Sequence, residues 1–156
     1  MGTCKATLPF QGERLMDRVA RLSEQAGCVP HFVIKRTQKI HSIRHQVVLE
    51  SAEQHHPLLG VACALAHCNH QYALILPCDT PFLQPASLKQ LCVQQRPTVV
   101  YSEHIHPLIG WYPTSWSKKA AVLANTNQAA AKFAKDAFYL YLPHEELRNC
   151  NRPEDL

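Results

Sequence analysis

Glycine is scarce in this chain, which has only five glycines among its 156 residues, whereas an average protein has about 7%. None of the five lies in a glycine-rich cluster. Such clusters bind phosphate groups because glycine lets the backbone N–H groups approach the oxygens closely. The sequence therefore contains no recognisable glycine loop of its own for holding the phosphates of a nucleotide.

Long apolar runs and runs of like charge are also absent. No segment approaches the roughly 20 apolar residues that cross a bilayer, and the first residues lack the apolar core of a signal peptide. The formal net charge of +4 comes from scattered basic residues, which suits an anionic small ligand as readily as nucleic acid. We expect a soluble, cytoplasmic protein that contacts neither a membrane nor nucleic acid.

Seven cysteines form an odd set without the spacing of a disulfide framework. Several lie in apolar segments, so we interpret them as free thiols in a reducing cytosol. Cys63, His67, Cys68 and His70 could suggest zinc, but their spacing matches no recognised zinc module. They fall on or beside a predicted buried helix, and we favour a structural role for them.

The order of the predicted elements indicates an α/β fold. A chain of this length is expected to form one domain with its own core. Strands alternating with helices favour right-handed crossovers and a mainly parallel sheet between two helical layers. The pattern predicts helices at 13–26, 57–68, 116–123 and 128–135 and one starting at Pro85, strands at 32–34, 46–49, 72–76, 98–101 and 137–142, and a further apolar run at 107–112.

The segment 72–83 is the one around which a binding site is expected. Its apolar run 72–76 predicts a strand buried on both faces. Pro77 and Pro81 stop the strand, because neither can donate a backbone N–H. Asp79 then lies just beyond the carboxyl end of the strand, where open α/β sheets bind ligands. Asp79 could hold Mg²⁺ for a nucleotide, or it could be a turn aspartate that bonds nearby backbone N–H groups.

Three segments in one order resemble the molybdenum cofactor guanylyltransferase family. They are LPCDTPFL at 76–83, HPLIGWY at 106–112 and NCNRPEDL at 149–156. In addition, MGTCKA at 1–6 followed by LPFQG at 8–12 is similar to the family's stretch after its nucleotide-binding glycine loop. Three motifs in one order are much harder to obtain by chance than any one of them.

The resemblance implies a three-layer, Rossmann-like nucleotidyltransferase fold and transfer of GMP from Mg-GTP to molybdopterin cofactor, with release of pyrophosphate. It implies that Asp79 binds Mg²⁺ and helps to seat the nucleotide, and that Lys5 contacts the nucleotide phosphates; these two are the expected catalytic residues. Glu50 stands where the family has an aspartate that contacts the nucleotide. Asn149 and Asn151 match paired asparagines near the cofactor end of the site.

The resemblance further implies a single domain over 1–156, with GTP and molybdopterin cofactor as substrates. Protein partners would be molybdoenzymes or other proteins of cofactor biosynthesis, and the chain is expected to be a monomer. Relative to the family pattern, the first strand and the glycine loop are expected to be missing, and the domain to be incomplete at both ends. Cys4 also stands where the family has an aspartate.

Three functional hypotheses follow. The first is an active guanylyltransferase. The second, suggested by the missing glycine loop, is a catalytically inactive remnant that at most binds nucleotide or a partner protein. The third is a related nucleotidyltransferase that uses CTP or a sugar phosphate.

Overall fold

The computed structural model describes residues 4–42, 44–51, 53–151 and 155. The helices are α1 (Leu15–Gln25), α2 (Pro57–His67), α3 (Pro85–Cys92) and α4 (Ser117–Asn125). The strands are β1 (Pro9–Phe10), β2 (Glu13–Arg14), β3 (His31–Lys35), β4 (Gln46–Glu50), β5 (Tyr72–Ile75), β6 (Thr98–Tyr101), β7 (Ile105–Pro113) and β8 (Phe138–Tyr141).

Strands β5 to β8 form a four-stranded sheet in the order β5-β7-β6-β8. β6 pairs with β8 in parallel, whereas β7 runs antiparallel to both β5 and β6. β3 and β4 form a separate parallel pair. β8 forms one edge of this sheet, and its side chains Tyr139 and Tyr141 are exposed, as expected for an edge strand.

Helices cover both faces of the four-stranded sheet. Val99 and Val100 are consecutive and fully buried in β6, so their side chains point to opposite faces. Val99 belongs to the hydrophobic cluster that contains α2 and α4, and Val100 to the one that contains α3 and Leu22 of α1. The predicted three-layer α/β fold is therefore confirmed, although this sheet is mixed rather than mainly parallel because β7 runs antiparallel to both of its neighbours.

The end of α1 shows how local sequence determines an element boundary. Gly27 adopts a φ of 91° and its N–H donates to the Glu24 carbonyl, while the Cys28 N–H donates to the Ser23 carbonyl. This pair of hydrogen bonds is the Schellman motif, which ends a helix where glycine supplies a left-handed backbone. The predicted stop at Gly27 is confirmed.

At the start of the same helix, Glu13 and Arg14 form β2 rather than a first helical turn. They pair with Pro9 and Phe10 across a turn at Gln11 and Gly12. The turn in 8–12 was expected, but its two short strands were not.

The prediction of a helix at 128–135 is wrong, because only a short 3₁₀ turn forms at Ala130–Lys132. Phe133 and Ala134 are fully buried, and the Phe133 ring packs edge-on against Tyr112 and Trp116. Because Phe133 and Ala134 are both buried, the segment forms a series of turns instead of a regular helix.

The prediction that the 72–76 strand is buried on both faces is also wrong in part. Ile75 is buried, whereas Tyr72, Ala73 and Leu74 are only partly buried. β5 pairs with β7 on one edge, and within the described residues no strand pairs with its other edge. Helix α2 bridges the two sheets, since it packs against β3, β4 and β5.

None of the helices in the described part of the chain combines the length and apolar character needed to span a bilayer. The predicted helix start at 151–155 falls largely on residues that lie outside the described ranges.

Candidate nucleotide site

The loop after β5 presents Asp79 at the carboxyl end of the strand. Thr80 is fully buried, and its hydroxyl donates to the Pro77 carbonyl at 3.3 Å. Pro77 and Pro81 restrict the backbone on either side. The Asp79 residue remains partly exposed in this fixed loop, at the position that the sequence predicted for a ligand-binding carboxylate.

Two segments from the ends of the chain meet this loop. The Cys150 N–H donates to the backbone carbonyl of Asp79 at 2.8 Å. Lys5 Nζ donates to Asn151 Oδ1 at 2.5 Å, and the Asn151 N–H in turn donates to Asp155 Oδ2 at 2.8 Å. The fold thus brings Lys5, Asp79 and Asn151 together, although Lys5 and Asn151 lie 146 positions apart.

The electrostatics of Asp79 are those of a partly desolvated carboxylate beside a cation. Burial raises the pKa of Asp79 above its ordinary value of 3.8, and the charge of Lys5 and a backbone hydrogen bond oppose that rise. The approach of a second cation would stabilise the charged form of such a carboxylate, because water solvates it only in part. The loop is therefore suited to bind a positively charged group.

The two thiols beside Asp79 are unsuited to nucleophilic chemistry. Burial and then the Asp79 charge raise the pKa of Cys78 to about 11. Burial also raises the pKa of Cys150. Because the thiolate is the reactive form, both cysteines stay protonated near neutral pH.

The donor set fits a magnesium ion that arrives with a nucleotide. Within the described residues, no group of three or more His, Cys, Asp or Glu side chains is placed to hold a metal ion. Mg²⁺ in nucleotide sites is usually held by one or two carboxylates together with phosphate oxygens and water. The carboxylate of Asp79 would supply the protein's ligand to such an ion.

Glu50 lies in a different environment from Asp79. It ends β4 and is 8% exposed, and its Oε1 lies 2.9 Å from the position that a Cβ on Gly60 of α2 would occupy. Its Oε2 is buried and has no hydrogen-bond partner among the described residues. Burial raises the pKa of Glu50, against the opposing charges of Lys35 and His55.

Charged and polar side chains surround Glu50. Lys35 Nζ lies 2.6 Å from His55 Nδ1, and the Glu50 charge contributes to the raised pKa of Cys63. The fold therefore places Lys35, His55 and Cys63 close enough to Glu50 to interact with its charge. Its role toward a nucleotide stays a prediction.

The other residues singled out in the sequence are dispersed. Asn149 is exposed beside Cys150. Cys63 and His67 lie one helical turn apart, with Sγ and Nδ1 separated by 4.0 Å, whereas the Cys68 thiol faces the Tyr72 carbonyl. His106, the first residue of the family-like segment 106–112, packs against His104 with ring centroids 4.5 Å apart.

Two surface clefts lie away from Asp79. One, of about 300 Å³, is lined by paired ions that include Arg14 with Asp17 and Arg21 with Glu13. The other, of about 530 Å³, is lined mainly by lysines of α4 and of the segment after it. The candidate site is therefore defined by converging side chains rather than by either cleft.

Sequence reasoning missed the residues that hold this site together. Cys150 anchors the C-terminal segment to the Asp79 loop through its backbone, and Asp155 orients Asn151. Backbone hydrogen bonds between distant segments leave no local signal. The acidic residue four positions after Asn151 was visible in the sequence, but its acceptor role depends on the fold.

A family model for the MobA-like NTP transferase domain matches residues 1–139. The chain belongs to this family. The resemblance seen in the sequence is thus confirmed, and so is the assignment to the nucleotidyltransferases at the level of the family.

Curated relatives of the chain carry related names. It is 28% identical over 173 residues to the probable molybdenum cofactor guanylyltransferase of Opitutus terrae, covering 99% of this chain and 86% of that protein. It is 27% identical over 146 residues to the molybdenum cofactor guanylyltransferase of Pseudomonas syringae, covering 87% of this chain and 70% of that protein.

Solved structures share the fold at low sequence identity. The molybdopterin-guanine dinucleotide biosynthesis protein A of Archaeoglobus fulgidus matches with a TM-score of 0.72 and 17% identity, over 97% of this chain and 86% of that one. A 2-C-methyl-D-erythritol 4-phosphate cytidylyltransferase from Thermus thermophilus matches with a TM-score of 0.68 and 10% identity, over 97% and 89%. The predicted nucleotidyltransferase fold is confirmed.

Proposed function

We propose that this protein transfers GMP from Mg-GTP to the terminal phosphate of molybdopterin cofactor and releases pyrophosphate. The observation that carries the proposal is the meeting of Lys5, Asp79 and Asn151 at the carboxyl end of β5. Membership of an NTP transferase family and curated relatives named as molybdenum cofactor guanylyltransferases support it.

In this reaction an oxygen of the molybdopterin phosphate attacks the α-phosphorus of GTP. The bond from that phosphorus to the bridging oxygen breaks, and the electron pair leaves with pyrophosphate. Negative charge gathers as two phosphates approach, so the protein must chiefly supply cations and positioning. It needs no covalent intermediate, in agreement with the protonated state of Cys78 and Cys150.

Each residue of the site has a role in that scheme. Lys5 neutralises phosphate charge, and its bond to Asn151 Oδ1 holds the ammonium group near Asp79. Asp79 is the residue that would hold Mg²⁺, which supplies Lewis-acid stabilisation of the phosphate oxygens when bound. The amides of Asn149 and Asn151 can both donate and accept hydrogen bonds, which suits the polar edge of a pterin.

The scarcity of glycine favours a second candidate, nucleotide binding without turnover. None of the five glycines lies in a cluster that could hold the phosphates of a nucleotide through backbone N–H groups. A site with only part of its contacts would bind Mg-GTP at micromolar affinity and release it unchanged.

Calorimetric titration with Mg-GTP combined with product analysis distinguishes the two. The guanylyltransferase predicts binding together with formation of the guanine dinucleotide cofactor when molybdopterin cofactor is added. Binding without product, by a sample that circular dichroism shows to be folded, would instead establish the second candidate. Competition by CTP at the same site tests the choice of base.

A further inference from the structure

Two cysteines, one just after α1 and one at the end of α3, lie side by side. Cys28 follows the Schellman turn at the end of α1, and Cys92 is the last residue of α3. Their sulfurs are 3.7 Å apart, although the residues are separated by 64 positions in sequence. Neither is bonded in a disulfide.

The packing of α1 against α3 keeps the two sulfur atoms close to each other. α1 contacts α3 directly, and Leu22 shares a hydrophobic cluster with the fully buried Leu88 and Leu91. The sulfur atoms would have to approach by about 1.7 Å to reach the roughly 2.05 Å of a disulfide bond. A change of that size is within the reach of side-chain torsions at both residues.

The thiol pair is also accessible and chemically distinct. Both cysteines are partly exposed, and each is followed by a valine with a highly exposed side chain, Val29 and Val93. The hydrogen bond between the two thiols lowers the pKa of Cys28 to about 7, whereas burial raises the pKa of Cys63, Cys78 and Cys150. The lowered pKa favours the thiolate, which is the nucleophilic form, at Cys28 more than at the buried cysteines.

We propose that Cys28 and Cys92 form a reversible disulfide with each other when the protein meets a low-molecular-weight disulfide such as oxidised glutathione. The short distance between the sulfurs identifies the pair, and the lowered pKa of Cys28 makes it the attacking thiol and Cys92 the resolving one. The linkage joins the C-terminal ends of α1 and α3, and it is independent of the nucleotidyl transfer proposed above.

The reaction proceeds in two exchange steps. The Cys28 thiolate attacks one sulfur of the small disulfide, the sulfur–sulfur bond breaks, and one small thiolate leaves. The Cys92 thiol then loses its proton and attacks Cys28 Sγ, which expels the second small thiolate. Overall, two protein thiols are oxidised, one small disulfide is reduced to two thiols, and the two protons pass to those thiols.

The test treats the fully reduced full-length chain with oxidised glutathione, alkylates the remaining thiols after denaturation, and maps the peptides by mass spectrometry. We expect one disulfide, between Cys28 and Cys92, with the other five cysteines alkylated. The melting temperature of the oxidised protein should exceed that of the reduced protein by about 5–15 °C, because the bond constrains a long loop of the unfolded chain.

Single variants separate the two roles. Cys28→Ser should form no internal disulfide, and Cys92→Ser should accumulate a mixed glutathione disulfide on Cys28. Cys68→Ser is the matched control, since its partly buried thiol faces the Tyr72 carbonyl, and it should form the Cys28–Cys92 bond as the unchanged protein does.

Alkylation of both Cys28 and Cys92 after oxidation of the unchanged protein would overturn the proposal. So would a disulfide between another pair, for which Cys4 and Cys78 are the alternative because both pack against one hydrophobic cluster. Both results are read from the unchanged chain, so the proposal is testable even where a variant fails to fold.

Discussion

A single carboxylate, Asp79, accounts for most of the chemistry proposed here. Replacing it by asparagine keeps the shape and removes the charge. We predict that Asp79→Asn lowers the rate of product formation at least about 100-fold, because a ligand for the metal and its charge are lost together. Pyrophosphate release under saturating Mg-GTP measures the effect.

The same substitution should leave the fold intact. Burial raises the pKa of Asp79, so its charge costs stability near neutral pH and a neutral amide does not. The melting temperature of Asp79→Asn should equal or exceed that of the unchanged protein. Asp136→Asn is the control, because Asp136 is an exposed partner of Lys119; an equal loss of activity there would contradict a specific role for Asp79.

Lys5 is expected to act through charge. We predict that Lys5→Met weakens binding of Mg-GTP about tenfold, the loss expected for one partly screened contact with phosphate. Titration calorimetry at two salt concentrations should show a smaller salt dependence for the variant. Lys89→Met, which removes an exposed lysine of α3, should bind as the unchanged protein does.

The raised pKa of Glu50 leads to a prediction about how protein stability depends on pH. Burial raises its pKa above the ordinary value of 4.5, so the folded protein holds this proton more tightly than the unfolded chain does. The contribution of Glu50 to stability is then greatest below pH 4.5, and it is lost as the pH rises through the raised pKa. Glu50→Gln removes this loss, so its melting temperature should exceed that of the unchanged protein by more at pH 8 than at pH 5.

Thermal unfolding followed by circular dichroism at these two pH values provides the measurement. Glu103→Gln, at an exposed position, serves as the control and should track the unchanged protein at both. A Glu50→Gln variant that is less stable at pH 8 would show that the carboxylate has a favourable partner in solution.

At the scale of the elements, the structure of β7 depends on a close contact between Gly110 and the ring of Tyr112. The Tyr112 ring is fully buried and folds back over Gly110, where a Cβ would overlap it, while its hydroxyl donates to the Pro107 carbonyl at 2.8 Å. We predict that Gly110→Ala destabilises the protein by about 3 kcal/mol, since a buried ring in a packed core has no room to move. Chemical denaturation measures the change.

A second substitution shows whether the overlap is the cause. In the double variant Gly110→Ala, Tyr112→Leu the ring is gone, so adding the methyl group should cost much less than it does beside tyrosine. A single variant Gly110→Ala that stays within about 0.5 kcal/mol of the unchanged protein would refute this reading of β7.

The elements that the sequence predicted well are those with a local signal. Gly27 ends α1, Pro57 and Pro85 begin α2 and α3, and the β-rich run 98–101 forms β6. The segment 128–135 was mispredicted because its alanines favour a helix locally, whereas burial of Phe133 decides its shape. The partial exposure of β5 likewise depends on strand pairing, which periodicity cannot reveal.

At the scale of the whole molecule, the sequence predicted where the site lies but not the contacts that form it. The apolar run ending at Asp79 pointed to a ligand at the strand end, and family motifs added Lys5 and Asn151, which the fold brings together. Glu50 was grouped with them by family position alone; the structure places it beside Gly60 and Lys35, and its contact with a nucleotide stays a prediction. Contacts between distant segments, such as Cys150 with Asp79, required the three-dimensional structure.

The most direct test of the account is a turnover assay with the purified, folded chain, Mg-GTP and molybdopterin cofactor. We predict formation of the guanine dinucleotide cofactor and one pyrophosphate per product, with neither formed when either substrate or the metal is omitted. The product should be retained by Asp136→Asn and lost with Asp79→Asn. A folded sample that binds Mg-GTP but yields no dinucleotide product would contradict the proposed function.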